Sequence, residues 1–142
     1  MTLKNINNYD ITIYNSQRMD DDTDVIEEKS IGTFSIRDNK AYIMYKSGEG
    51  DDETTSVVTA SEDGVKIKRK GAVNSDMLYV EGRKTSFIYR IPYGTMDMEI
   101  YTELIENSLN DDGGELHLVY DLSVQGAVIK NDMKIKVSRG KE

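Results

Sequence analysis

The stretch Gly94-Thr95-Met96-Asp97-Met98-Glu99-Ile100-Tyr101-Thr102-Glu103-Leu104 decides the fold class. Met96, Met98, Ile100 and Leu104, with Thr102, share one parity, while Thr95, Asp97, Glu99, Tyr101 and Glu103 share the other. A helix would scatter both sets around its circumference. A strand sends successive side chains to opposite faces and separates them. The stretch therefore reads as a strand with one dry face and one wet face.

Toward the C-terminus the pattern recurs twice. Over Glu115–Ser123, Leu116, Leu118, Tyr120 and Leu122 oppose Glu115, His117, Val119, Asp121 and Ser123; over Lys130–Ser138, Met133, Ile135 and Val137 oppose Lys134, Lys136 and Ser138. Upstream, strands are expected at Tyr9–Arg18, Val25–Ile36, Ala41–Lys46, Thr54–Ser61, Val65–Lys70, Met77–Val80 and Thr85–Ile91. Turn residues stand between them, and Asp63-Gly64 is the strongest hairpin signal because its glycine accepts positive φ freely. Thr102 to Leu109 has helical propensity and is expected to be a frayed strand end or a single turn.

No interval has room for the crossover helix that parallel strands require. A run of consecutive hairpins is a meander, and a meander removes its exposed edges most simply by closing on itself. The expectation is an all-β chain forming one antiparallel meander barrel, closed or nearly closed, of about 8–10 strands. A single domain across residues 1–142 is expected.

Composition narrows the functional classes. There are no cysteines, which excludes disulfides and thiolate metal sites. With 18 basic and 26 acidic residues the net charge is −8, which works against nucleic acid and anionic membrane as partners. Met1 to Ile6 has no apolar run of the signal-peptide kind, and no apolar stretch is long enough to span a bilayer as a helix. A cytoplasmic location is expected.

Three segments occur in order: Tyr42-Ile43-Met44-Tyr45, then Gly64 to Val73, then Gly114-Glu115-Leu116 leading to Tyr120-Asp121-Leu122. Together they resemble the YwiB-like family of small bacterial proteins, a domain of unknown function placed among the calycin-like, lipocalin-like β-barrels. The resemblance runs from about Ile11 to Val137, and its most specific element is Arg69-x-Gly71-Ala72-Val73, with Tyr89 and Gly94 following. It implies a fold and no particular activity. Relatives with this barrel include fatty-acid carriers, but this chain lacks the helix pair that lids their barrel mouth.

Chemical motifs are few. Asp20, Asp22 and Asp24 have the spacing of a calcium loop, but Val25 and Ile31 stand where its glycine and glutamate belong, so a solvated hairpin tip is expected. Asn110 to Gly114 reads as a turn. His117 is the only histidine, which excludes a histidine metal set, and its parity points it outward. Asp97, Glu99 and Glu103 share a wet face and read as solvated carboxylates. No phosphate-binding glycine loop is present. No metal, cofactor or catalytic residue is expected, and the chain is read as a non-enzyme.

Arg69 departs from its surroundings. Lys66, Lys68 and Lys70 share the outward parity of their strand, whereas Arg69 joins Val65 and Ile67 on the inner one. A buried guanidinium is costly unless paired. It could pair with a carboxylate or tyrosines, which the sequence favours; it could also lie in water at the barrel mouth, or mark an anion cavity. Tyr45, Tyr89 and Tyr120 have inward parity as well, either filling the core or giving a cavity hydroxyl-tipped apolar walls. Arg69, Tyr45, Tyr89 and Tyr120 are thus the candidate binding residues for a small anionic or amphipathic ligand. The alternative is a solidly packed barrel that meets a protein partner through its outer surface or loops.

Overall fold

Residues 9–139 are described in the computed structural model, and ten strands account for most of them. They are β1 (Tyr9–Met19), β2 (Asp22–Arg37), β3 (Lys40–Ser47), β4 (Thr54–Ser61), β5 (Gly64–Gly71), β6 (Ser75–Tyr79), β7 (Lys84–Ile91), β8 (Gly94–Asn107), β9 (Gly113–Val124) and β10 (Ala127–Arg139). The one helical element among the described residues is a short 3-10 turn, Gly50–Asp52, and no helix is long and apolar enough to cross a membrane. The sequence reading of Met1 to Ile6 lies outside the described residues.

Apart from β6 and β7, each strand pairs antiparallel with the next, and β1 also pairs with β10, giving the order β6-β5-β4-β3-β2-β1-β10-β9-β8-β7. Chain neighbours β6 and β7 are therefore the two edges of one rolled sheet. They meet where Asn74 and Arg90 exchange two backbone hydrogen bonds of 2.9 Å each, and where the Thr85 hydroxyl donates to the Leu78 carbonyl. This is the nearly closed meander barrel that the alternating pattern requires.

The dry parities of the strands make a continuous core from Ile11 and Ile13 through Ile43, Val58, Ile67 and Ile100 to Leu116, Leu118 and Ile135. Burying such side chains stabilises a domain by roughly 1.5–3 kcal/mol each against the entropy of ordering the chain. One detail departs from simple alternation. A bulge between Thr102 and Leu104 shifts β8 against β9, so Ile105 lies opposite the buried Leu118 and packs on the core, while Leu104 pairs with Val119. The inward parity expected for Leu104 is thus corrected, because an unpaired extra residue reverses the facing of everything after it. The strand continues through Asn107 and does not become a helical turn.

β2 changes partners along its length: among the described residues its pairing with β1 runs to Gly32 and its pairing with β3 begins at Thr33. A Cβ on Gly32 would overlap the Met44 carbonyl oxygen and lie 2.7 Å from Ile11 Cδ1, so only glycine lets the two walls approach here. On the outer face His117 ties three strands together. Its Nδ1 lies 3.0 Å from Glu106 Oε1 on β8 and its Nε2 lies 2.6 Å from Asp132 Oδ1 on β10. Outward parity is as the sequence indicates, yet only 18% of the side chain is exposed.

Two outcomes follow. Gly32→Ala should lower the unfolding free energy by about 3 kcal/mol in urea titration, since the clash is with backbone; a loss below about 1 kcal/mol would contradict the packing described. For His117, burial disfavours the charged ring and Lys134 adds to that, but the hydrogen bonds the ring donates to Glu106 and Asp132 and the Asp132 charge outweigh them, leaving the pKa raised above 6.5. A raised folded-state pKa contributes stability that is complete below the unfolded value and fades as pH climbs through the folded one. The stability gap between wild type and His117→Gln should therefore be wider near pH 5.5 than near pH 8.5; an equal gap at both would mean that folding does not raise the pKa.

Candidate functional site

In an antiparallel meander all odd-to-even connections lie at one end of the barrel. Inward residues near that end are the late ones of odd strands and the early ones of even strands. The composition of the interior changes there. Across four strands, Tyr45, Ser56, Arg69 and Ser75 stand directly opposite one another in a single row. The rows beneath are Ile43, Val58, Ile67, Met77 and then Ala41, Ala60, Val65, Tyr79. Apolar layers thus fill one half of the barrel and a hydroxyl-flanked guanidinium begins the other.

The facing wall is polar at the same end. Asn131 is fully buried, and its Oδ1 accepts hydrogen bonds from Asn15 Nδ2 at 3.1 Å and Gln17 Nε2 at 3.0 Å, while its own Nδ2 donates to the Ile129 carbonyl at 3.0 Å. Two buried side-chain oxygens of this end, Asn15 Oδ1 and Ser75 Oγ, have no partner among the described residues. Ser75 is only 7% exposed. Buried hydroxyls normally find a partner, so an orphan beside a guanidinium marks a place where a further acceptor fits.

Arg69 points inward, as parity requires, and is half-buried. Among the described residues it forms no ion pair with a carboxylate. Of the partners the sequence allowed, the tyrosine is present: burial pushes the Tyr45 hydroxyl up, and the Arg69 charge and the Ser56 hydroxyl pull it part of the way back. Tyr79 and Tyr120 are also raised by burial, and Arg69 opposes the rise at both. Their rings meet edge to face with centroids 4.9 Å apart. One cation therefore faces a cluster of three buried phenols.

Tyr45 and Tyr120 are thereby gathered around Arg69. Tyr89 is placed differently: it is half-buried on β7, paired with Met96 above Phe87, nearer the mouth. Tyr79, Ser56, Ser75 and the Asn15–Gln17–Asn131 group were missed as site residues. Ser56 and Ser75 could have been found, since they share parity with the buried Val58 and Ala60 and with Met77 and Tyr79.

Other clefts are less suited to chemistry. One of about 700 Å³ lies at the opposite end among Ile36, Glu62, Asp63, Glu81, Ile105 and Leu109. There the Glu81 carboxylate already accepts the Ile105 amide at 2.8 Å. Asp97 and Glu99 lie exposed on the outer face of β8, with Glu99 3.9 Å from Lys84. Asp20 sits in the β1–β2 turn with Asp22 and Asp24 following on β2, and no group of three His, Cys, Asp or Glu among the described residues could hold a metal ion.

These residues fall within a recognisable family. The family model described as "Domain of unknown function (DUF1934)" matches residues 11–136, which include every residue of the polar end named above. "Uncharacterized beta-barrel protein YwiB" of Bacillus subtilis (strain 168) is 28% identical over 116 residues, covering 80% of this chain and 82% of that protein. The crystal structure of the ywiB protein from Bacillus subtilis matches with a TM-score of 0.86 at 24% identity, covering 94% of this chain and 92% of the other, and so shares its fold. The chain belongs to the DUF1934 family of β-barrel proteins.

Proposed function

We propose that this barrel is a non-catalytic binding protein for a small anionic or amphipathic molecule, held at the polar end of its interior. One observation carries the reading: an inward, half-buried guanidinium that lacks a carboxylate partner among the described residues. Such a charge is costly to keep inside a protein unless an anion neutralises it, and the planar fork of arginine suits carboxylate or phosphate. Tyr45 and Ser75 supply hydroxyls beside it, while Phe87, Met98 and Tyr120 supply apolar wall. The sole histidine is on the outer face, opposite in parity to Arg69, which favours binding over histidine-based catalysis there. Charged outer positions such as Lys66, Lys68, Asp97 and Glu99 suit an aqueous, cytoplasmic setting, since a lipid-facing barrel wall would be apolar there.

A second reading has its own support. The Asp22–Ile31 half of β2 pairs with β1 but has no ladder to β3, and Val25, Ile26 and Ile31 are 55%, 51% and 67% exposed. An edge of this kind can accept a strand from a protein partner.

Arg69→Met separates the two. Tyr45 retains Ser56 as a neighbour, so the ligand-free variant should unfold within about 1 kcal/mol of wild type. Benzoate, a small aromatic anion, should raise the melting temperature of wild type and leave that of the variant unchanged. A destabilisation of about 3 kcal/mol with benzoate inert toward both proteins would make Arg69 a structural residue and favour the protein-partner reading.

A further inference from the structure

The β6–β7 junction is incomplete in a way that bears on what reaches Arg69. Between the Asn74–Arg90 bridge and the Thr85–Leu78 contact, no backbone hydrogen bond joins the two strands among the described residues. Hydrogen-bonding groups alternate sides along a strand. Asn74 and Arg90 bond each other, so two residues further on the amides of Asp76 and Ile88 also turn into the gap. They are donors without a strand to receive them. A cleft of about 540 Å³ opens there, and its lining includes inward Arg69, Ser75 and Phe87 together with outward Lys68, Lys70 and Arg90.

The charges at this gap are lopsided. Four cations, Lys68, Arg69, Lys70 and Arg90, line it against one carboxylate, Asp76, in a protein of net charge −8. None of the four forms an ion pair among the described residues, although Lys29, Lys46, Lys84, Lys130, Lys136 and Arg139 do elsewhere on the surface. A monocarboxylate would satisfy Arg69 alone. The outer three cations call for a ligand with at least two negative charges and several acceptor oxygens. A phosphate monoester has both near neutral pH.

We infer that the β6–β7 gap is a phosphate-monoester site, its dianion held by Arg69 and the orphan Ser75 hydroxyl from within and by Lys68, Lys70 and Arg90 from outside. This rests on the interior-anion reading above and names the chemistry of its ligand. Ile88, exposed at the lip, gives the ester's organic group an apolar surface.

The probes are phenyl phosphate and benzoate, which share a ring and differ in charge and oxygens, titrated calorimetrically near pH 8. Phenyl phosphate should bind about tenfold more tightly. Lys70→Gln and Arg90→Gln change exposed side chains only and should each weaken phenyl phosphate several-fold without changing benzoate. Arg69→Met should abolish both. Equal affinities for the two probes, unmoved by Lys70→Gln and Arg90→Gln but lost in Arg69→Met, would overturn the phosphate site and leave the interior-anion reading standing. Binding of neither probe, or binding that survives Arg69→Met, would overturn both. Phosphatidylcholine vesicles with and without phosphatidic acid identify the source of the phosphate. Binding to the acidic vesicles that phenyl phosphate competes away names a lipid headgroup, and phenyl phosphate binding without vesicle binding names a soluble ester; either supports the site.

Discussion

The exchange of two backbone hydrogen bonds between Asn74 and Arg90 is what turns this sheet into a barrel. A ten-stranded meander sealed between β1 and β10 leaves β6 and β7 as its edges, and exposed edges invite unwanted strand pairing. Closure there hides both edges and encloses the alternating dry faces. It is also the weakest seam, because β6 has five residues against the 14 of β8. The short strand leaves part of β7 unpaired, and that shortfall creates the gap beside Arg69.

Polarity inside the barrel follows from which rows the closure must dehydrate. The layers from Ile67 downward are apolar, and Tyr79 lies entirely buried among them. At the other end β2 outruns β3, and β6 is short. Water-compatible side chains therefore replace aliphatic ones: Ser56, Ser75, Asn15, Gln17 and the fully buried Asn131. Some of these are bonded to each other, as the Asn131 amide is to Asn15 and Gln17, although Asn15 Oδ1 is left without a partner among the described residues. Ser75 and Arg69 are not so completed. Charge separates the two sides: the amides around Asn131 bond one another and support the wall, while the proposed binding falls to the side that carries the Arg69 cation.

Much of this was legible in the residues because a barrel strand has two environments and a period of two. Every expected strand exists, and the inward parity of Arg69, Tyr45 and Tyr120 is read directly from alternation with Val65, Ile43 and Leu118. Parity failed where the backbone breaks period, at the β8 bulge that exchanges Leu104 for Ile105. It also cannot say which strands touch across the barrel. The Tyr79–Tyr120 contact and the Asn15–Gln17–Asn131 bonds join residues distant in sequence, and no local pattern announces them. Nor does alternation reveal that Arg69 lacks a carboxylate, since 26 acidic residues offered many partners and some of them, such as Glu28 on β2, share the inward parity. Glu28 illustrates the limit: it acts on the Tyr45 hydroxyl from β2, yet its carboxylate accepts the Ser47 hydroxyl at 3.2 Å.

The central claim is that Arg69 is an interior cation completed by a bound anion. The most direct test is a crystal structure of the protein grown with phenyl phosphate. The account predicts phosphate density in the β6–β7 gap, within hydrogen-bonding distance of the Arg69 guanidinium and Ser75 Oγ. A guanidinium folded back onto a protein carboxylate such as Glu28, with no density in the gap, would contradict it.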